Sequence, residues 1–257
     1  NDDGGGIRND GALTVINSTV DANKANSSSS VSSGGGGLIN TVGATTTVVN
    51  STFSRNEALN GGAIRNDGSL TLTNTTLSGN IAYESGGGLV NTTTNPFSAE
   101  ALTASATLVN STITNNTAQD TGLSGIKGGG IANFGSLNIA NTIVAGNVGN
   151  DDINDVFSGS TVSDGHNLIG NVSQTITSFE AAKGDFFGNS EAALDPLLGS
   201  LQDNGGFTKT HALTEGSIAI DNGGNAQLAP DATDLDGDSN NTDEYPFDHW
   251  GGGYIHV

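Results

Sequence analysis

The sequence predicts an all-β protein, a single-stranded right-handed parallel β-helix, which is a solenoid with three short strands per coil and loop insertions. Three observations indicate this fold: a unit that recurs five times, the strand period of its apolar residues, and Asn at fixed places in each copy. The chain has no Cys or Met, one Trp and 5% aromatic residues. This composition favours a stack of small aliphatic side chains over a compact globular core.

Each copy of the unit has a Gly pair, small or aliphatic residues, an Asn, a short apolar strand and two further Asn. The copies begin at Gly5, Gly36, Gly61, Gly87 and Gly129. The last two Asn are six residues apart in every copy: Asn17 and Asn23, Asn50 and Asn56, Asn74 and Asn80, Asn110 and Asn116, Asn141 and Asn147. The first Asn of these pairs recurs at intervals of 33, 24, 36 and 31 residues, so the shortest spacing is the bare unit and the surplus is inserted loop.

Each unit holds three apolar patches, for example those that begin at Ala63, Leu70 and Thr75. Thr, Val, Ile and Leu alternate within the patches, which is typical of strands, and only residues 178–183 favour a helix. We expect each strand to pair with its counterpart one coil away, at about 4.8 Å. The side chains expected to stack inside the coils are Leu13, Val15, Val48, Leu70, Leu72, Leu108, Leu137 and Ile139.

The recurring Asn residues predict two columns of stacked side chains at corners of the coil. Asn tolerates left-handed backbone angles, and identical amides in successive coils can form a hydrogen-bonded ladder. One predicted column contains Asn50, Asn74, Asn110 and Asn141, and the other contains Asn56, Asn80, Asn116 and Asn147.

The chain divides into two parts of one solenoid. Residues 1–171 are predicted to form regular coils, and residues 172–257 to form less regular C-terminal coils and an acidic capping segment. Insertions such as residues 27–33 and 92–105 are expected at a fixed place in the unit, as loops on one face.

Charge excludes two classes of partner. The chain carries 27 Asp plus Glu against 7 Lys plus Arg, a formal net charge of -20, which repels nucleic acid and anionic membranes. No apolar run is long enough for a membrane span, and the first residues have no signal-peptide pattern. Because the chain begins inside a repeat, we expect it to be part of a longer protein whose export signal lies upstream.

Particular segments resemble known bacterial proteins. The GGAI motif at Gly61–Ile64 and the Phe-Ser-Arg-Asn motif at Phe53–Asn56 are similar to repeats of the polymorphic outer membrane proteins, which are surface adhesins and autotransporters. Segments 164–171, 195–213, 217–223 and 232–253 resemble large bacterial, often cyanobacterial, surface proteins with the same β-helix. The resemblance implies a location outside the cell or on its surface, and a β-helix that serves as a passenger or spacer.

An acidic segment near the end of the chain predicts a calcium site. Its candidate ligands are Asp234, Asp236, Asp238, Asn240 and Asp243, which supply the oxygen atoms that hard cations prefer. A solvated acidic turn is the alternative interpretation of the same residues. The weaker ligand candidates are Asp2, Asp3, Asp151, Asp152 and Asp155.

No catalytic constellation is visible in the sequence. Arg8 and Arg65 are predicted to be surface residues paired with Asp10 and Asp67. In other copies these arginines are expected to give way to Asn40, Asn91 and Asn133 or their neighbours. His166 lacks the second Gly of a polysaccharide-hydrolase motif and is interpreted as a corner residue, while His211, His249 and His256 lack metal-ligand spacing.

Three functions remain. Uniform repetition favours a non-enzymatic surface or matrix protein, a rigid adhesin-type stalk or filament element whose partners are other surface proteins, like chains end to end, or glycans. A polysaccharide-binding or polysaccharide-active β-helix would need a groove lined by aromatic residues, for which Tyr83, Phe97 and Phe134 are available. An ice-binding surface would need unbroken Thr rows; Thr14, Thr47, Thr71 and Thr107 align, but the fifth copy has Asn138.

The calcium hypothesis predicts local stabilisation. If the acidic oxygens converge on calcium, the ion offsets repulsion among carboxylates and protects the segment from proteolysis near Asn241. Limited proteolysis should cut chelator-treated protein there and spare calcium-loaded protein, with Asp236→Ala abolishing the difference. Equal cleavage in both conditions would favour the solvated turn.

Overall fold

The protein is a parallel β-helix solenoid, as predicted. A computed structural model describes residues 4–25, 34–92, 104–119, 128–157 and 159–227. Within these residues the strands form parallel sheets that run along the stack, and each strand pairs with its counterpart in the neighbouring coil. Two short 3-10 helices, Ala181–Lys183 and Asn225–Gln227, are the helical elements of this part of the chain.

The strands are short and follow one another closely. In chain order they are β1 (Ile7–Asn9), β2 (Ala12–Ile16), β3 (Thr19–Asp21), β4 (Leu38–Asn40), β5 (Thr45–Val49), β6 (Thr52–Ser54), β7 (Glu57–Asn60), β8 (Ile64–Asn66), β9 (Ser69–Thr73), β10 (Thr76–Ser78), β11 (Ile81–Ser85), β12 (Leu89–Asn91), β13 (Ser105–Val109), β14 (Thr112–Thr114), β15 (Thr117–Ala118), β16 (Gly128–Asn133), β17 (Ser136–Ala140), β18 (Ile143–Ala145), β19 (Asp151–Asp155), β20 (Ser160–Gly165), β21 (Leu168–Ile169) and β22 (Phe186–Phe187). Every coil therefore fits within a few tens of residues.

Three long sheets and one short sheet form the walls of the solenoid. Sheet A has the order β1-β4-β8-β12-β16-β19, and sheet B has the order β2-β5-β9-β13-β17-β20. Sheet C has the order β3-β6-β10-β14-β18-β21-β22. Within the described ranges sheet D contains β7, β11 and β15, so that three coils carry a fourth strand beyond the three that the repeat predicts.

The predicted interior stack is confirmed. Pairing aligns Val48, Leu72, Leu108 and Ile139 in one row and Leu70 and Leu137 in another, and all of these side chains are almost completely buried. Val15 is also buried, and Leu13 packs against the core while partly buried. Removal of this apolar surface from water in every coil is the main favourable term for the stack.

Both predicted Asn columns are present, and they have different structural roles: one turns the backbone, and the other links successive coils by side-chain hydrogen bonds. Asn17, Asn50, Asn74, Asn110 and Asn141 all have left-handed backbone angles, with φ between 47° and 51°, and turn the chain at one corner. Asn23, Asn56, Asn80, Asn116 and Asn147 form what we call the first amide column. In it each Nδ2 donates to the Oδ1 of the next coil at 2.8–3.0 Å. Asn56, Asn80 and Asn116 are fully buried, so these bonds satisfy groups that water cannot reach.

A second amide column, which was not predicted, stands at the end of sheet A. Its members are Asn9, Asn40, Asn66, Asn91 and Asn133, which pair in register. Each Nδ2 again donates to the next Oδ1, at 2.8–2.9 Å. Four of the five side chains are completely buried.

A third column is built of hydroxyl groups: Ser18, Ser51, Thr75, Ser111 and Thr142. Each side-chain hydroxyl donates to the carbonyl two residues before it. Several of these hydroxyls also accept a backbone N–H from the preceding coil, as Ser111 does from Thr75 and Thr142 does from Ser111. The interior therefore has polar columns beside the apolar rows, and the backbone at the turns is satisfied by side chains.

The expectation that the insertions share one place in the unit is wrong. Residues 27–33 lie between β3 and β4, whereas residues 92–105 contain the junction from β12 to β13. In chain order the first junction leads into sheet A and the second leads out of it. The extra length was visible in the sequence, but its position in the coil depends on which strand each apolar patch becomes.

A plug formed by residues 172–188 covers the end of the core. Ile176 and Phe179 belong to the buried core cluster and Val172 packs against it. The plug continues sheet C through β22, which pairs with β21. The regular pairing of sheets A and B ends before it, at β19 and β20.

The inward register of sheet B predicts a contrast between two adjacent substitutions. Leu72→Asp should destabilise the protein by more than the about 2–5 kcal/mol that a buried Leu→Ala truncation costs, because it also buries an unpaired carboxylate. Thr71→Asp, one residue away on the outer and less buried side, should change the midpoint of urea unfolding little. Equal effects of the two substitutions would contradict the register.

Candidate functional site

The metal candidates fall into two groups. Asp234, Asp236, Asp238, Asn240 and Asp243 lie outside the described residues, so calcium binding there stays a prediction. Among the residues that the structure describes, no group of three or more His, Asp or Glu is placed to hold a metal ion. Of the weaker candidates, Asp2 and Asp3 also lie outside the described residues. Asp152 and Asp155 instead accept hydrogen bonds from Asn147 and Asn133.

His166 and His211, the two histidines that the structure describes, have different partners. His166 has a φ of 57°, so its interpretation as a corner residue is confirmed. Its Nδ1 lies 3.0 Å from the carbonyl oxygen of Asn222. His211 lies on a different part of the chain, described below, and His249 and His256 are outside the described residues.

The predicted surface position of Arg65 is wrong. Arg8 and Arg65 belong to identical Ile-Arg-Asn-Asp-Gly segments and each pairs with the Asp two residues later, at 2.8 and 3.1 Å. The Arg8 and Asp10 side chains are 44% and 62% exposed, but those of Arg65 and Asp67 are only 4% and 2% exposed. Strand pairing also shifts the predicted alignment of the arginines by one residue. Arg8 and Arg65 lie in the row of Ile39, Val90 and Ala132. Asn40, Asn91 and Asn133, with which the sequence aligned them, belong to the second amide column.

A strap, residues 198–224, lies along the outer face of sheet C. Thr52 Oγ1 donates to the carbonyl of Lys209 at 2.7 Å, and Ser78 Oγ lies 2.8 Å from His211 Nε2. Farther along, Asn141 Nδ2 donates to the carbonyl of Gly224 at 2.8 Å. The strap therefore contacts several coils, and from Lys209 to Gly224 it meets them in their own chain order. Among the outer polar residues of sheet C that are buried are Thr52, Ser54, Thr76, Ser78 and Thr114.

His211 anchors the strap in a partly buried position. Its Nδ1 lies 2.6 Å from the Gly199 carbonyl oxygen, which fits an Nδ1–H donor and leaves Nε2 to accept from Ser78. Burial lowers the pKa of His211, against the opposing effect of the Gly199 carbonyl. The neutral imidazole is therefore the form that the folded strap favours.

The aromatic candidates for a sugar groove lie on separate parts of the surface. Tyr83, on sheet D, donates to Glu57 Oε2 at 3.1 Å, and the Lys24 ammonium lies 5.7 Å from its ring centroid. Phe134 follows sheet A and packs against Phe157, with ring centroids 6.2 Å apart. Phe97 lies outside the described residues.

The outer face of sheet B carries the Thr row. Thr14, Thr47, Thr71 and Thr107 align by strand pairing, as the sequence predicts. The row then continues with Asn138 and Val162. Two of its six positions therefore lack the hydroxyl and methyl pair of Thr.

Glu84 is a buried carboxylate that the sequence analysis did not single out. Glu84 is 5% exposed; its Oε2 accepts from Asn60 Nδ2 at 3.3 Å, and within the described structure its Oε1 has no hydrogen-bond partner. It lies at a register shift between Ala82 and Ser85, and bulges of this kind break the repeat locally. No periodic signal marks Glu84, because its neighbours in other coils differ.

Comparisons with known proteins add no relative. No family model, no curated protein and no solved structure matches the chain. In the part of the chain that the structure describes, no helix is long and apolar enough to span a membrane. The fold class, a parallel β-helix solenoid, is therefore defined by the coordinates and the repeat alone.

The identical segments around Arg8 and Arg65 offer a matched test of burial. Arg65→Ala should destabilise the protein by about 3–5 kcal/mol, because it leaves the buried Asp67 carboxylate without its ion-pair partner. Arg8→Ala should leave the midpoint of urea unfolding nearly unchanged, since its pair is exposed. A similar loss of unfolding free energy in both variants would show that burial of the ion pair does not determine how much the Arg→Ala substitution destabilises the protein.

The lowered pKa of His211 predicts a pH-dependent strap. A folded-state pKa below the ordinary 6.5 contributes stability that is present above that pH and is lost as the pH falls through the folded value. The hydrogen-exchange protection factors of residues 198–213, which correct for the pH dependence of intrinsic exchange, should therefore fall below about pH 6.5. His211→Gln should remove that dependence, and a pH dependence that survives the substitution would contradict the role of His211.

Proposed function

We propose that this chain is a non-enzymatic structural element of an extracellular or cell-surface protein, a rigid stalk that presents loops. The observation that carries this proposal is the continuity of the three polar columns through successive coils. Their amides and hydroxyls bond to one another and to the backbone. Because these side chains hydrogen-bond to one another and hold the coils together, none of them is available as a catalytic group.

Rigidity follows from the same contacts. Each coil is joined to the next by backbone pairing in sheets A, B and C and by side-chain bonds in the columns. The strap adds bonds that cross several coils, from Thr52 to Asn141. Solenoid stability is a sum of nearest-neighbour interfaces, and a strap that spans them couples distant coils.

The insertions are the variable part of a unit that is otherwise uniform. In chain order, residues 26–33 and 120–127 each precede a strand of sheet A, and residues 93–103 follow one. Loops held by a rigid scaffold commonly carry recognition. We assign binding to these insertions, with glycans or other surface proteins as partners, and we assign calcium to the acidic segment from Asp234 to Asp243.

The alternatives have weaker support. A polysaccharide groove needs aromatic residues that share a face, and Tyr83 and Phe134 belong to different parts of the coil. A polysaccharide lyase or hydrolase needs a cluster of acid, base or cation-binding groups. An ice-binding face needs an unbroken Thr row, which Asn138 and Val162 interrupt.

A binding and activity screen tests the proposal. The purified chain is incubated with neutral and uronic polysaccharides and applied to a glycan array, beside a variant whose insertions are shortened to the bare unit. We expect no depolymerisation, and any binding should be lost when the insertions are shortened.

Two outcomes would contradict the stalk. One is turnover of a polysaccharide. The other is binding that survives shortening of the insertions and is abolished by Tyr83→Ala, which would favour a sugar-binding surface around Lys24, Glu57 and Tyr83. Thr71→Ala, on the outer face of sheet B, serves as a control for nonspecific loss of binding.

A further inference from the structure

The two amide columns have a direction. Along each column the side-chain Nδ2 donates toward the C-terminal coil, and the Oδ1 accepts from the N-terminal coil. An interior Asn can do both, because its amide has a donor end and an acceptor end. The last coil has no further coil to donate to, so its column position needs a group that only accepts hydrogen bonds.

All three polar columns end on an aspartate. In the first amide column Asn147 Nδ2 donates to Asp152 Oδ1 at 2.8 Å, and in the second Asn133 Nδ2 donates to Asp155 Oδ1 at 2.7 Å. The hydroxyl column passes from Thr142 to Asn167, whose backbone N and Nδ2 donate to Asp185 Oδ1 at 3.0 and 3.1 Å. Three different corners thus have the same ending.

Each of these aspartates accepts on both carboxylate oxygens. The second oxygen accepts a backbone N–H in every case: from Asn171 to Asp152 at 2.8 Å, from Thr161 to Asp155 at 2.9 Å, and from Glu180 to Asp185 at 2.9 Å. A backbone donor cannot be turned into an acceptor. An Asn at these positions would therefore set its NH2 group against a fixed donor, whereas an ionised Asp satisfies both sides.

At Asp152, one of the three positions, burial disfavours the ionised carboxylate. Burial raises the pKa of Asp152 from 3.8 to about 6, although the N–H groups of Asn147 and Asn171 act in the opposite direction. A raised folded-state pKa stabilises the protein at low pH, and this contribution is lost as the pH rises through 6. At neutral pH the buried, ionised carboxylate of Asp152 therefore costs folding stability. This cost indicates that the residue does more than fill space.

We propose that Asp152, Asp155 and Asp185 form a termination device that ends the polar columns and fastens the plug to the last coil. Asp152 reaches the start of the plug through Asn171, and Asp185 holds it from within through Glu180. With only acceptors at the column ends, all of them bonded, the polar columns offer no donors to a further coil. The polar columns therefore cannot continue into the first coil of a second copy stacked on the last coil.

Hydrogen exchange with peptide resolution at neutral pH tests the fastening. Asp152→Asn, Asp155→Asn and Asp185→Asn should each accelerate exchange in residues 151–188 by at least about tenfold, while residues 38–92 keep their protection. Asp221→Asn removes the same charge at an exposed position and should change neither region. The protected N-terminal coils show in the same sample that the variants are folded.

Two results would overturn the proposal. One is exchange in residues 151–188 that is unchanged in all three variants, or is accelerated equally by Asp221→Asn. The other concerns the unsubstituted protein in sedimentation velocity, where we expect no linear assembly with rising concentration. Assemblies in which residues 151–188 gain protection would mean that this end accepts another coil.

Discussion

The fold depends on one constraint: a polar side chain inside a stack of coils must find its hydrogen bonds in the coils above and below it. Water does not reach Asn80, which is fully buried, and an amide left unpaired there costs about 1–3 kcal/mol for each group. Asn80 meets the constraint by accepting from Asn56 and donating to Asn116. This forces the same residue type to recur in every coil, which is why the repeat is so visible in the sequence.

The same constraint separates the positions that repeat from those that vary. Inward rows such as Leu72 and Leu108 keep their apolar character, and the columns keep their Asn, because each copy must match its neighbours. Outward positions need only suit solvent or whatever covers them, so Arg65 and Val90 can share a row. Insertions lie between strands, where an added loop does not disturb the pairing on either side.

Periodicity determined what could be predicted. The fold class, the burial of Leu70 and Leu72 and the first amide column follow from residues that recur at constant offsets. The second amide column was missed because Arg8 was aligned with Asn40 instead of with Ile39, a shift of one residue that exchanges the two sides of a strand. The strap could not be predicted, since its contact between Thr52 and Lys209 joins residues far apart in the chain and occurs once. The burial of Arg65 has the same origin, because its sequence is identical to that around the exposed Arg8.

The most direct test of the central constraint is Asn80→Asp, which keeps the shape of the side chain and replaces the donor by an acceptor. The new oxygen would face the Phe53 carbonyl and the Asn116 Oδ1, both of which now accept from Asn80 Nδ2. Asn138→Asp makes the same chemical change at an exposed position of sheet B and serves as the control. Urea unfolding at neutral pH should show that Asn80→Asp lowers the free energy of unfolding by at least about 3 kcal/mol and that Asn138→Asp changes it little. Equal stability of the two variants would contradict the account, because it would mean that the amide columns do not hold the coils together.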